Sequence, residues 1–187
     1  VVPQDDPVEV QQYSPAAPDT VKVIAHPWSF REDGSAYVSV VVVRGDTLSN
    51  RYQLWWERAT DSYTRLATET RFGLRGTLNV ELPATGSLVS SIDFTLASSD
   101  TTLPEIADDE ALMGHSLLFA GDEVLWAWGF TLVGANRYTA QLLRARYGSL
   151  RAGHACGDSV VLFFPTDGRR LAVYKLPFKE VAQSFKV

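Results

Sequence analysis

Four valines in succession, Val40 to Val43, sit within the apolar stretch Ala36 to Arg44. A strand with one wet face alternates apolar and polar residues, so an unbroken run predicts a strand covered on both faces. Around it the chain reads as short strands separated by turn residues. Val21 to Ile24 comes first, and Glu32-Asp33-Gly34-Ser35 turns into the valine strand. Arg44-Gly45-Asp46 to Asn50 forms the next loop. Tyr52 to Glu57, centred on Trp55-Trp56, Tyr63 to Ala67 and Thr77 to Leu82 follow, and Pro83 with Gly86 closes the group. Strands spaced by roughly ten residues predict a small β-sandwich.

A second group opens near Leu88. Ile92, Phe94 and Leu96 alternate with Asp93 and Thr95, the pattern of a half-buried strand. Leu117 to Ala120, Gly121-Asp122 and Glu123 to Phe130 read as a hairpin with a tight polar turn. Arg137 to Arg144, Asp158 to Phe164 and Arg169 to Leu176 supply further strands, and only Asp108 to Met113 suits a helical turn. The expectation is an all-β chain: a Pro-rich linker over residues 1–20, a β-sandwich over 21–86, and a second small β-barrel or sheet domain over 87–187.

With 45% hydrophobic and 21% charged residues, the composition supports a folded core. A formal charge of −5 argues against general nucleic-acid binding, which needs a basic field to neutralise phosphates. Apolar runs such as Tyr37 to Val43 and Ser159 to Phe164 are far shorter than the ~20 residues of a membrane helix. No basic segment leads an apolar one at the start, so no signal peptide is expected, and Val1 reads as the start of a piece excised from a longer polypeptide. The single cysteine, Cys156, allows no internal disulfide and fits synthesis in a reducing cytoplasm.

The second group also carries an ordered constellation. It runs Gly76-Thr77-Leu78 with Leu82-Pro83, Ile92-Asp93 with Phe94 and Leu96, and Leu117 to Glu123 with Gly121-Asp122-Glu123 at its end. Tyr138-Thr139-Ala140-Gln141-Leu142-Leu143-Arg144, Tyr147-Gly148-Ser149, His154 and Gly157-Asp158 complete it. This resembles the tail-tip or baseplate hub proteins of long-tailed bacteriophages and gene transfer agents, over about residues 75–165 and more weakly from Val21. The family favours Gly and Thr where this chain has Ala145 and Ser149. Ala tolerates positive φ worse than Gly, so the backbone at 145 is expected to differ here if the family turn uses that conformation.

The resemblance implies a virion structural protein without catalytic residues. It would form a ring, usually trimeric, that closes the tail tube and contacts tube, baseplate or fibre proteins. Arg144, Tyr147, Gly148, Ser149, His154, Gly157 and Asp158 are then candidates for structuring a turn or an interface.

The same residues include candidates for chemistry. His154, Cys156 and Asp158 alternate and would share a face on a strand, which suits zinc or a thiolate with its base. Gly153 and Gly157 place them in a turn instead, with no second Cys/His pair. The expectation is therefore structural, with His154 bonded to turn backbone and Cys156 buried, and no metal or cofactor. No G-x-S-x-G elbow accompanies His26, His115 or His154. The carboxylates Asp108-Asp109-Glu110 and Asp122-Glu123 would serve a glycosidase only if one were buried against an apolar wall, and both stretches read as solvated turns.

Arg137, Arg144, Arg146 and Arg151, interleaved with Tyr138 and Tyr147, suit ion pairs in the turn or across an interface better than single-stranded nucleic acid. The alternative function is sugar stacking by Trp55, Trp56, Trp126 and Trp128, a carbohydrate-binding module for host-surface recognition.

Overall fold

The valine strand does lie between two layers. β2 (Ala36–Val43) pairs antiparallel with β1 (Thr20–Ala25) on one side and β11 (Tyr174–Leu176) on the other. Successive strand residues face opposite sides. Val38, Val40 and Val42 meet Leu54, Trp56, Leu66 and Tyr174, whereas Val41 and Val43 meet Leu117, Phe119, Val161 and Phe163. In this computed structural model the described residues are 16–25, 36–59, 62–98, 101–112, 114–164, 174–176 and 185–186. The expected turns at residues 32–35 and 166–168, and most of the expected linker, lie outside them.

The first of the two layers is a three-stranded sheet of β3 (Tyr52–Ala59), β4 (Ser62–Glu69) and β12 (Phe185–Lys186). It and the β1-β2-β11 sheet form the small sandwich. The other layer is the wall of a closed barrel in the order β10-β5-β6-β9-β8-β7. Its strands are β5 (Leu74–Leu78), β6 (Val89–Leu96), β7 (Leu117–Ala120), β8 (Glu123–Gly134), β9 (Arg137–Leu143) and β10 (Ser159–Phe163). Every neighbour pairs antiparallel, and the β7–β10 ladder closes the ring, so no barrel strand is left with a free edge. The only helix among the described residues longer than a single 3-10 turn is α1 (Asp108–Leu112).

The chain is all-β, as expected, but the boundary at residue 86 is not where the strands divide. β5 precedes that boundary and belongs to the barrel, while β11 and β12 follow it and return to the sandwich. The expected strand Thr77 to Leu82 also runs differently, ending at Leu78, with Leu82 bridged to His154.

Alternation fixes the barrel interior. Leu118, Ala120, Leu125, Ala127, Ile92, Phe94, Leu96, Tyr138, Ala140, Leu142, Val160 and Leu162 all point inward. At one end of this core Phe94 stacks on Tyr138 with centroids 6.1 Å apart and meets Phe130 edge-on, and Phe130 meets Phe164 in the same way. Gly76 lies so close to β6 that a Cβ there would fall 2.9 Å from the Thr95 carbonyl oxygen. Gly121 takes the first place of the β7–β8 turn with φ 54°, a conformation that costs glycine nothing.

Candidate functional site

The inward register continues past the apolar residues at one end of the barrel. On β8 the inward series is Glu123, Leu125, Ala127, and on β9 it is Tyr138, Ala140, Leu142 and then Arg144. Two opposite charges thus meet at one barrel mouth, and both side chains are wholly buried. A buried carboxylate or guanidinium is costly unless its hydrogen-bonding capacity is filled. Here both are well supplied.

Glu123 Oε1 accepts from Arg144 Nε at 2.9 Å and from the Ala145 amide at 3.2 Å. Its Oε2 accepts from Arg144 Nη2, from the Ala152 amide at 3.1 Å and from His154 Nε2 at 3.0 Å. A carboxylate acceptor assigns the Nε2–H tautomer to His154. The remaining guanidinium donors go to carbonyls, Nη1 to Pro83 and Nη2 to Ala152.

Burial alone would push the Glu123 carboxyl up. The donors from Arg144, Ala152 and His154 outweigh it and hold the group below the ordinary value of 4.5. Asp93 is lowered as well, by the Arg137 fork above all. A folded-state pKa below the unfolded one adds stability that is complete above the unfolded value and is lost as pH falls through the folded one. Stability is therefore expected to decline from about pH 4.5 downward, and in Glu123→Gln the decline should be shallower when urea midpoints are compared across that range.

The segment after Arg144 is tied down by the same residues that carry the resemblance. Ser149 Oγ accepts from the Val124 amide at 2.9 Å, pinning the turn to β8. Leu82 and His154 exchange both backbone hydrogen bonds, and the Leu78 amide donates to the Asp158 carbonyl at 2.9 Å. Asp158 Oδ2 accepts from the Ala155 amide, and Gly157, at φ 95°, donates its amide to the Leu78 carbonyl. His154, Cys156 and Asp158 do not converge. His154 is buried on Glu123, not on turn backbone, while Cys156 is exposed, contrary to expectation, with its thiol directed at the Asn79 carbonyl. Among the described residues no group of three His, Cys, Asp or Glu is placed to hold a metal ion.

Ala145 takes φ 55° and ψ 50°, inside the left-handed region that alanine tolerates worse than glycine. That region costs an L-residue about 1–2 kcal/mol, partly offset by glycine's greater freedom when unfolded. Ala145→Gly is therefore expected to stabilise the chain by about 1 kcal/mol, read as a higher urea midpoint at unchanged slope. Tyr147, at φ 53°, and Gly148, at φ 77°, continue the left-handed turn.

Of the tryptophans, Trp56 is buried in the sandwich, and Trp55, its immediate neighbour on the strand, faces the other way. Trp126 and Trp128 are half-buried on the outer barrel wall. Arg146 lies over the Trp126 ring, 3.9 Å from its centroid, and Tyr147 meets that ring edge-on. Arg151 donates to the Thr85 and Gly86 carbonyls.

Sequence reasoning missed Glu123, read as a solvated turn residue, although its parity with Leu125 and Ala127 marks it as inward. It also missed a cleft of about 530 Å³ between the sandwich and the barrel, lined by Asp19, Arg44, Phe72, Arg75 and Thr101. Asp19 and Arg75 pair there at 2.9 Å, and Arg44 stacks on Phe72. No described helix is long and apolar enough to cross a membrane. No protein-family model matches the chain, and no curated protein is significantly similar to it.

Proposed function

We propose that the chain is a non-enzymatic structural module of a phage-type tail tip or baseplate hub. It assembles with copies of itself, as a trimer, into a ring at the distal end of the tail tube, against tube, baseplate or fibre proteins. The observation that carries this reading is the use made of the resemblance residues. Glu123, Arg144, Ser149, His154 and Asp158 all go into closing one barrel mouth and fastening the segment after it. Glu123, the one buried carboxylate of the site, has its lone pairs occupied by internal donors and is held ionised, the opposite of a general acid.

The outer surface offers material for neighbours. Val89, Leu132, Val133 and Leu150 are between 52% and 87% exposed, and the middle two lie near the tip of the β8–β9 hairpin. Singly exposed apolar residues are ordinary, but the adjacent exposed pair Leu132 and Val133 near the hairpin tip is material for a contact. Amide hydrogen exchange of the isolated chain against the assembled particle tests the reading. Added protection at Leu132, Val133 and Leu150 on assembly supports it; unchanged exchange there contradicts it.

A second reading, carbohydrate binding, draws on Trp126 and Trp128 sharing the outer wall of β8. Saturable changes in tryptophan fluorescence on titration with bacterial surface glycans, abolished in Trp128→Ala, would favour it over the ring.

A further inference from the structure

The turn that follows Arg144 is held in an unfavourable shape, and what that shape presents is a half-buried guanidinium without an acceptor among the described residues. Ala145 and Tyr147, neither of them glycine, both sit at positive φ. Strain of this sort persists only where the surroundings over-determine it, and it points toward a function for what it positions. Here the surroundings are the Ala145 amide on Glu123 and the Ser149 hydroxyl on β8, on either side of Arg146. The residue so positioned is Arg146, stacked on Trp126, whose ring is also gripped by Tyr147.

Arg146 has no hydrogen-bond acceptor and no carboxylate partner among the described residues, and its Nε is buried without an acceptor. The other arginines of the stretch differ. Arg137 is forked onto Asp93, Arg144 onto Glu123, and Arg151 onto two carbonyls. With its Nε–H buried, a guanidinium fixed by stacking keeps the edge that carries its Nη donors ready for a carboxylate, and less side-chain freedom is lost on binding.

The surroundings of this edge are those of a protein contact. Leu143 pairs with Trp126 on one side and with Val89 on the other, so the three form an outward row across β8, β9 and β6. Val89 is 52% exposed and Leu143 half-buried. Trp, Tyr and Arg beside an apolar row have the composition of an interface hot spot.

We infer that Arg146, mounted on Trp126, is a docking point for an acidic protein segment, whose Asp or Glu carboxylate binds the guanidinium while apolar neighbours cover Val89 and Leu143. This goes beyond the ring reading and does not depend on it, because it concerns the ligand chemistry of one surface and not the symmetry of an assembly.

The test is a titration of the full ¹⁵N-labelled chain, followed by the Trp126 indole and Arg146 Nε–H resonances. The probe is a capped Leu-Glu-Glu-Leu peptide, with capped Leu-Gln-Gln-Leu as control. The two resonances are expected to move together and saturate with the acidic peptide only, and the Trp126 shift should vanish in Arg146→Ala. Arg146→Lys, which keeps the charge and loses the fork, should bind about 10-fold more weakly. Equal shifts with the glutamine peptide, a Trp126 shift that survives Arg146→Ala, or no shift up to about 20 mM would each overturn the inference. So would saturation by glucuronic acid at lower concentration than the peptide, which would assign the carboxylate to a sugar. The loop variant leaves the buried Arg144 pair intact, so its unchanged spectrum elsewhere shows that the fold is retained.

Discussion

Arg144→Ala is expected to cost about 3–5 kcal/mol of stability, enough to leave a domain of ordinary stability barely folded. The loss is not the worth of one ion pair. It is the penalty of stranding the Glu123 carboxylate inside the barrel mouth, together with the Pro83 and Ala152 carbonyls that the guanidinium also serves. Arg144→Met, which keeps much of the volume, should therefore be nearly as harmful. The double variant Glu123→Leu/Arg144→Met should lose less than the two single losses added together, because no charge is left uncompensated, but it still strands the Pro83 and Ala152 carbonyls and the amide and imidazole donors that Glu123 accepts. Equilibrium urea unfolding of the wild type, Glu123→Leu, Arg144→Met and the double variant measures this directly. Independent, additive effects of the two positions would mean that the pair is not coupled as its geometry requires.

Phe94→Ala should be comparably damaging, at about 3–5 kcal/mol, and by a different route. Phe94 is completely buried, stacked on Tyr138 and edge-on to Phe130, which in turn touches Phe164. Removing the ring leaves a cavity at the centre of an aromatic chain, and the strands of a closed barrel cannot easily collapse into it. Thermal unfolding should fall by on the order of 10 °C for a chain of this size. Phe94→Leu should fall by much less. Equal losses for Leu and Ala would indicate that the site tolerates no repacking at all, contrary to the ordinary behaviour of cores.

These two sites also show where the sequence was legible. Ile92, Phe94 and Leu96 alternate over a whole strand, and the four valines of β2 do not alternate because both of their faces are covered; each pattern is local and therefore legible. The β7–β8 hairpin was equally plain, with a glycine at the turn between apolar strands. The barrel itself was less legible. Its closure depends on β5 pairing with β6 and with β10, the latter more than eighty residues away in the chain, and no local pattern in Leu74 to Leu78 records that partner. β12, two residues long, carries too little sequence to announce a strand.

Glu123 was hidden for another reason. Its neighbours Gly121 and Asp122 make a solvated turn, and a charge beside them reads as solvated too. Only the two-residue register carried from Leu125 and Ala127, matched by that of Ala140 and Leu142 to Arg144, places opposite charges at one barrel mouth. The left-handed conformation of Ala145 leaves no local mark in the sequence, because alanine is not a residue that positive φ favours. The backbone is held by the Glu123 carboxylate on its amide and keeps the conformation despite the methyl group.

The most direct test of the proposed role is the mass and symmetry of the full-length parent particle, from native mass measurement and electron-microscope class averages of purified tails. The ring reading predicts a closed ring of identical chains, a trimer, at the distal end of the tube, with interfaces of obligate size, above about 2,000 Å². A chain absent from every tail and monomeric in solution would contradict it, and the tryptophan face of β8 would then be the first place to look for a ligand.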